Sequence, residues 1–137
     1  MHKLKDNAAD FGLLWLRVLM GLGIAHHGYG KVFGGYIAKL TEGLTQMGFP
    51  APEVFAWAAA LSEFAGGICV ALGLFTRPAA FFIFVTMAVA AFVAHRADPL
   101  DVKELALAYF TIAGALVFLG AGKFSLDHLF KRKPGGL

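Results

Sequence analysis

The sequence predicts an all-α protein, an integral membrane four-helix bundle with both termini in the cytoplasm. Three observations lead there. Of the 137 residues, 58% are hydrophobic and only 15% charged, with a mean hydropathy of +0.69. Ordinary soluble domains are about 45–50% apolar and about 25% charged, and a chain this short has too little interior to hide so much apolar surface from water. The apolar residues gather into four stretches, each close to the ~20 residues a helix needs to cross a bilayer. Period-two alternation, the mark of a membrane barrel, is absent, and an open sheet edge cannot face lipid, so each stretch must satisfy its own backbone as a helix. A solvent-exposed enzyme, a disordered chain and a fibrous protein are excluded.

The first span covers 11–33 and carries Arg17, His26, His27 and Lys31. The second, 54–75, is interrupted by Ser62 and Glu63, and the third, 78–94, holds no ionisable residue and ends at His95. The fourth, 105–122, is uncharged but contains Tyr109. Pro50 and Pro52, the Thr76-Arg77-Pro78 turn, and a 95–104 segment with Pro99 separate the spans. The shortness of the Thr-Arg-Pro turn makes spans two and three antiparallel neighbours. In the first loop Ile37, Leu40, Leu44 and Met47 recur at helical spacing, which suits either an amphipathic helix on the membrane interface or a structured loop packed over the bundle. The whole chain, 1–137, reads as a single membrane domain.

Basic residues set the orientation. Lys3, Lys5, Arg77, Lys123, Lys131, Arg132 and Lys133 fall on the side of the termini, seven in all, against four opposite: Lys31, Lys39, Arg96 and Lys103. The positive-inside rule places both termini in the cytoplasm. In so apolar a chain the net charge of +3 reads as membrane orientation, not nucleic-acid binding. Asp6, Asp10 and Arg17 break any signal-peptide pattern, so the N-terminus is expected to be retained. The lone Cys69 rules out an internal disulfide, a CxxC pair and a thiolate zinc site. No two histidines stand at i,i+4 on one helix, so no metal site is expected.

Ionisable residues at bilayer depth are functional candidates by default, because each costs several kcal/mol unless paired or wetted. At 100° per residue, Arg17, Gly21, Ile24, Gly28 and Lys31 fall within about 40° of one line on the first helix, with His27 beside it and His26 opposite Arg17. The two glycines admit a close neighbour, as do Gly66 and Gly67 after Glu63. Counting depth inward from Glu53 and Phe33 sets Glu63 level with about Gly23, between Arg17 and His27. Arg17 is therefore the expected partner of Glu63, being long and permanently charged, and His27 the second choice. His27, Lys31, Glu63, His95, Glu104 and Tyr109 are expected to converge on a pocket in the outer half, with Arg17 as its floor. Glu63, Arg17 and His27 are the candidate catalytic groups. Such a pocket suits a small molecule with an apolar body and one or two oxygens, and a quinone fits best: Arg, His and Tyr can donate to its oxygens, and Glu63 or a His can exchange protons. Each feature has a plainer reading: a structural Arg17–Glu63 pair, a snorkelling Lys31, polar helix ends at His95 and Glu104, and interface anchors at Trp15 and Trp57.

The chain resembles the DoxX family of small bacterial membrane proteins over most of its length. The resemblance rests on Arg17 with Leu19-Met20-Gly21, then His27-Gly28-x-x-Lys31; on Glu63-Phe64-Ala65-Gly66-Gly67 running to Leu72-Gly73-Leu74-Phe75-Thr76-Arg77; on His95 and Glu104; and on Gly122-Lys123-Phe124-Ser125-Leu126-Asp127. It implies a four-helix bundle in the bacterial inner membrane. It also implies a link to quinone or thiol stress, through the membrane subunit of a thiosulfate:quinone oxidoreductase, or service as a membrane anchor for soluble redox partners. A mechanism like that of vitamin K epoxide reductase needs a membrane cysteine pair, which this chain lacks.

Three functions stay open on the sequence. The first is a quinone-linked oxidoreductase or its quinone-binding subunit; with no flavin, haem or iron–sulfur motif, electrons would come from a partner or a small reductant. The second is a non-catalytic anchor or assembly subunit for a soluble or membrane redox partner. The third is a small proton-linked transporter, which with four short helices would need a homo-oligomer.

Overall fold

A computed structural model describes residues 2–131, which form six helices and, among the described residues, no strand. They are α1 (His2–Phe33), α2 (Ile37–Gln46), α3 (Pro52–Leu72), α4 (Thr76–Val89), α5 (Leu100–Leu119) and α6 (Leu126–Lys131), with α4 prolonged by a wider π turn over Ala90–Ala94. Four segments are long and apolar enough to span a membrane: Asn7–Phe33, Pro52–Leu72, Thr76–Ala94 and Leu100–Leu119.

Local chemistry sets the boundaries. Pro52 sits in the first turn of α3, where its missing N–H costs nothing, and Gly73, at φ +72°, turns the chain out of the helix. The fourth span begins at Leu100, ahead of its apolar stretch, because extended Pro99 sets the start and the exposed Asp101 and Glu104 occupy the first turns. The amphipathic stripe of the first loop does form a helix, α2, and it packs over α3 with Leu44 buried.

The spans stand in the order α1, α3, α4, α5, each antiparallel to the next. Glycine governs the α1–α3 contact. A Cβ on Gly21 would lie 2.5 Å from the Gly67 carbonyl oxygen, and one on Gly67 would lie 2.6 Å from the Gly21 carbonyl oxygen. The two backbones therefore touch with no side chain between them, as small residues permit inside membranes. Gly66 serves a different neighbour, lying against Ile83 of α4, so one glycine pair seats two helices. On the far side Phe84 stacks on Phe110, ring centroids 4.5 Å apart, with Phe92 edge-on to Phe110. Helices α1 and α5 meet only sparsely. Ile24, Val70, Ile83 and Leu116, all at most 1% exposed, fill the centre, while Trp15, Phe81, Phe82 and Phe118 turn outward.

An even number of spans puts both described ends of the chain on one side, together with the α3–α4 turn and α6. That side is called the terminal side below. The loop side carries α2 and the turn between the π segment and α5.

Candidate functional site

The loop-side half is built on the register of α1 against α3. A Cβ on Gly28 would strike the backbone of Glu63 and Phe64, so Glu63 is level with Gly28 and one turn from Lys31. Lys31 Nζ donates to Glu63 Oε1 at 2.8 Å and lies 2.7 Å from Oε2. The carboxylate is sealed in the bundle, with its side chain 3% exposed, while the lysine keeps a third of its side chain exposed. Oε2, although within ion-pair distance, has no donor aligned on it among the described residues. The pair thus has a dry anionic end and a wetter cationic end, the arrangement expected of a lysine that carries its charge toward the interface.

The expected Arg17–Glu63 pair does not form. Arg17 lies level with Gly73, at the terminal-side end of α3, where a Cβ on Gly73 would strike its Nη1 and Ser125. Its Nη2 donates to the Phe124 carbonyl at 2.6 Å, the side chain is fully buried, and Nε and Nη1 find no partner among the described residues. The depth count failed because it took the two helices to start level on the loop side. In fact α3 begins about two turns beyond the end of α1, beneath α2, which moves Glu63 outward from Gly23 to Gly28. Arg17 and Lys31 are separated by fourteen positions on one helix, about 21 Å, so Arg17 cannot floor a pocket beside Lys31.

Next to the ion pair, Tyr109 of α5 packs edge-on to His27, ring centroids 6.1 Å apart. Its hydroxyl lies over Gly23, where a Cβ would come within 2.5 Å of it. His26 and His27 are edge-on at 6.3 Å. The structure therefore gathers Lys31 with Glu63, and His27 with Tyr109, on the loop-side half of α1. His95 and Glu104 lie on the same side but are exposed, and His95 Nδ1 is 2.7 Å from Asp98 Oδ2 in a local i,i+3 pair.

Above Lys31 opens a cavity of about 470 Å³, roofed by α2 and closed at one edge by Ala94. Its walls mix apolar Leu40, Leu44 and Met47 with polar Tyr36, Lys39 and Gln46. Of the residues expected at the pocket, Lys31 alone lines this cavity. The α2 contribution was missed, although the signal lay in the sequence: Tyr36, Lys39, Gly43 and Gln46 recur at i, i+3, i+7 and i+10 beside the apolar stripe of the same helix. Among the described residues no three of His, Cys, Asp and Glu gather closely enough to hold a metal ion.

The fold and the paired charges inside it define a multi-pass membrane protein, a four-helix bundle with a polar site toward one face. The DoxX family profile matches residues 12–96, and the chain belongs to the DoxX family. It is 36% identical to an uncharacterized protein of Haemophilus influenzae over 128 residues, covering 88% of this chain and 92% of that one. It is 31% identical to the inner membrane protein YqjF of Escherichia coli over 129 residues, covering 90% and 95%. No solved structure matches the chain.

Proposed function

We propose that this DoxX protein is a quinone-binding membrane subunit of a redox system, with its site in the loop-side cavity above Lys31. The observation that carries the reading is the Lys31–Glu63 pair: a sealed carboxylate whose two oxygens lie 2.7 and 2.8 Å from an ammonium that lines a mostly apolar cavity. A quinone ring with one or two carbonyl oxygens suits such walls, the apolar body against Leu40, Leu44 and Met47 and an oxygen toward Lys31 Nζ. A bound quinone supplies two-electron, two-proton chemistry, its electrons coming from a partner, because this chain carries no electron store of its own. Lys31 orients and polarises the bound oxygen, Glu63 holds or releases a proton behind it, and α2 supplies the apolar wall for the ring.

The packed centre argues against a transport path through one copy. Ile24, Val70, Ile83 and Leu116 separate the loop-side site from the terminal side, and no polar side chain bridges the gap between Glu63 and Arg17 along the α1–α3 contact, where Gly21 meets Gly67.

Titration of the purified, detergent-solubilised protein with a short-chain benzoquinone tests the proposal. Saturable binding is expected, weakened about tenfold or more in Lys31→Met, the range for losing a hydrogen bond from a charged donor, and unchanged in Arg17→Lys. No saturable binding, or equal affinity in Lys31→Met, would overturn it and favour the non-catalytic anchor.

A further inference from the structure

The terminal side holds a second cavity, of about 480 Å³, enclosed by the α3–α4 turn, the end of α5 and α6. We propose that it binds the headgroup of an anionic glycerophospholipid in the leaflet that faces the chain termini. The site lies on the opposite side of the bundle from the cavity above Lys31, and the inference does not depend on the quinone reading.

Three features point to this ligand. The first is charge. Arg77 and Lys131 line the cavity, with His128 beside them. The acidic residue there, Asp127, is already engaged: its Oδ1 accepts from the Phe75 N–H at 2.7 Å and its Oδ2 from the Thr76 N–H at 3.0 Å. Both its oxygens are thus taken up at the start of α4, where a helix N-terminus favours an anion. With Arg77 and Lys131 the lining still carries one more positive than negative side chain, and among the described residues Arg77 Nη2 reaches only the Phe118 carbonyl, at 3.4 Å. Arg77 lies flat over Gly120, 3.1 Å from where a Cβ would stand, and Gly120 leaves the room for it.

The second feature is an unsatisfied donor. Thr76 lines the same cavity, is 1% exposed, and its Oγ1 has no partner among the described residues. A buried hydroxyl without a partner costs free energy, and a phosphate oxygen would accept from it. The third is depth and surroundings. The cavity sits where α3 and α5 end and α4 begins, at the boundary between hydrocarbon and water, and its walls include Phe75, Leu119 and Phe130, all more than half exposed. A soluble anion needs cations but has no use for outward-facing phenyl and isobutyl groups. A lipid uses both, with its phosphate on Arg77, Lys131 and Thr76 and its acyl chains along Phe75 and Leu119. A zwitterionic headgroup would bring its own ammonium against Arg77 and Lys131.

Native mass spectrometry of the full chain, released from detergent with phosphatidylglycerol or phosphatidylethanolamine added, reads the preference. Phosphatidylglycerol is expected to be retained over phosphatidylethanolamine and to resist excess inorganic phosphate. Lys131→Gln, on a short surface helix, is expected to weaken retention about fivefold, and the Arg77→Gln/Lys131→Gln pair several-fold further, by the usual contribution of each basic residue near a membrane surface. Lys39→Gln, on the loop side, is expected to have no effect. The proposal is overturned by equal retention of the two lipids, by wild-type retention in Lys131→Gln, or by a loss in Lys39→Gln as large as in Lys131→Gln. Displacement of the lipid by inorganic phosphate would overturn it too, in favour of a soluble anion.

Discussion

Helix α1 places a cation near each end of the bundle, and the surroundings of the two differ. Lys31 faces a carboxylate, keeps a third of its side chain in contact with solvent and borders a cavity. Arg17 is fully buried and, among the described residues, faces no carboxylate at hydrogen-bond distance and is held by one backbone carbonyl, that of Phe124. A charge that is paired, partly wetted and next to empty space can respond to a ligand. One packed against Gly73, Ser125 and a carbonyl holds its neighbours in place. Charge at bilayer depth thus occurs in two settings on one helix, one with access to a cavity and one without.

Substitutions sharpen that contrast. The largest effect is expected at Arg17. Arg17→Ala removes one of the largest fully buried side chains and strands the Phe124 carbonyl, and should cost about 3 kcal/mol of stability by the cavity it leaves, measured as denaturation in detergent. Arg17→Met, which keeps most of the volume and removes the buried charge, should cost clearly less; equal losses would show that the charge, not the packing, is what matters. At the other end, Lys31→Met leaves a buried carboxylate unpaired and should cost about 2 kcal/mol, reduced from the value for a sealed pair by the exposure of the lysine. The Lys31→Met/Glu63→Met double variant should recover about 1–2 kcal/mol of the summed single losses, a coupling that a double-mutant cycle reads directly. A smaller effect is expected from Asp127→Ala, which uncaps α4 and should cost about 1 kcal/mol. The smallest is Gly23→Ala: its new methyl would come within 2.5 Å of the Tyr109 hydroxyl oxygen, so the ring must give way, while alanine gains helix propensity, and the net change in stability should stay below about 1 kcal/mol.

The spans were legible because lipid imposes a length and a polarity that the 137 residues display openly. The α1–α3 contact was legible too, since Gly21, Gly28 and Gly67 are useful inside a membrane chiefly where backbones approach. The partner of Glu63 was not. Pairing at depth depends on how two helices are offset along their axes, and that offset is set by tertiary contacts: α2 lying over the projecting start of α3, and Gly28 seated on Phe64. A shift of one to two turns exchanges Arg17 for Lys31. The amphipathic first loop showed its apolar stripe, but the use of its polar face as a cavity wall depended on where α2 comes to rest.

The carboxylate that completes the start of α4 comes from Asp127, more than fifty positions later in the chain, and the Asp127 N–H in turn donates to the Gly73 carbonyl at 2.8 Å. In chain order the turn between the second and third spans can therefore be fastened only once residue 127 has been made. A chain cut short just after the fourth span would insert with its full number of crossings and still lack that fastening.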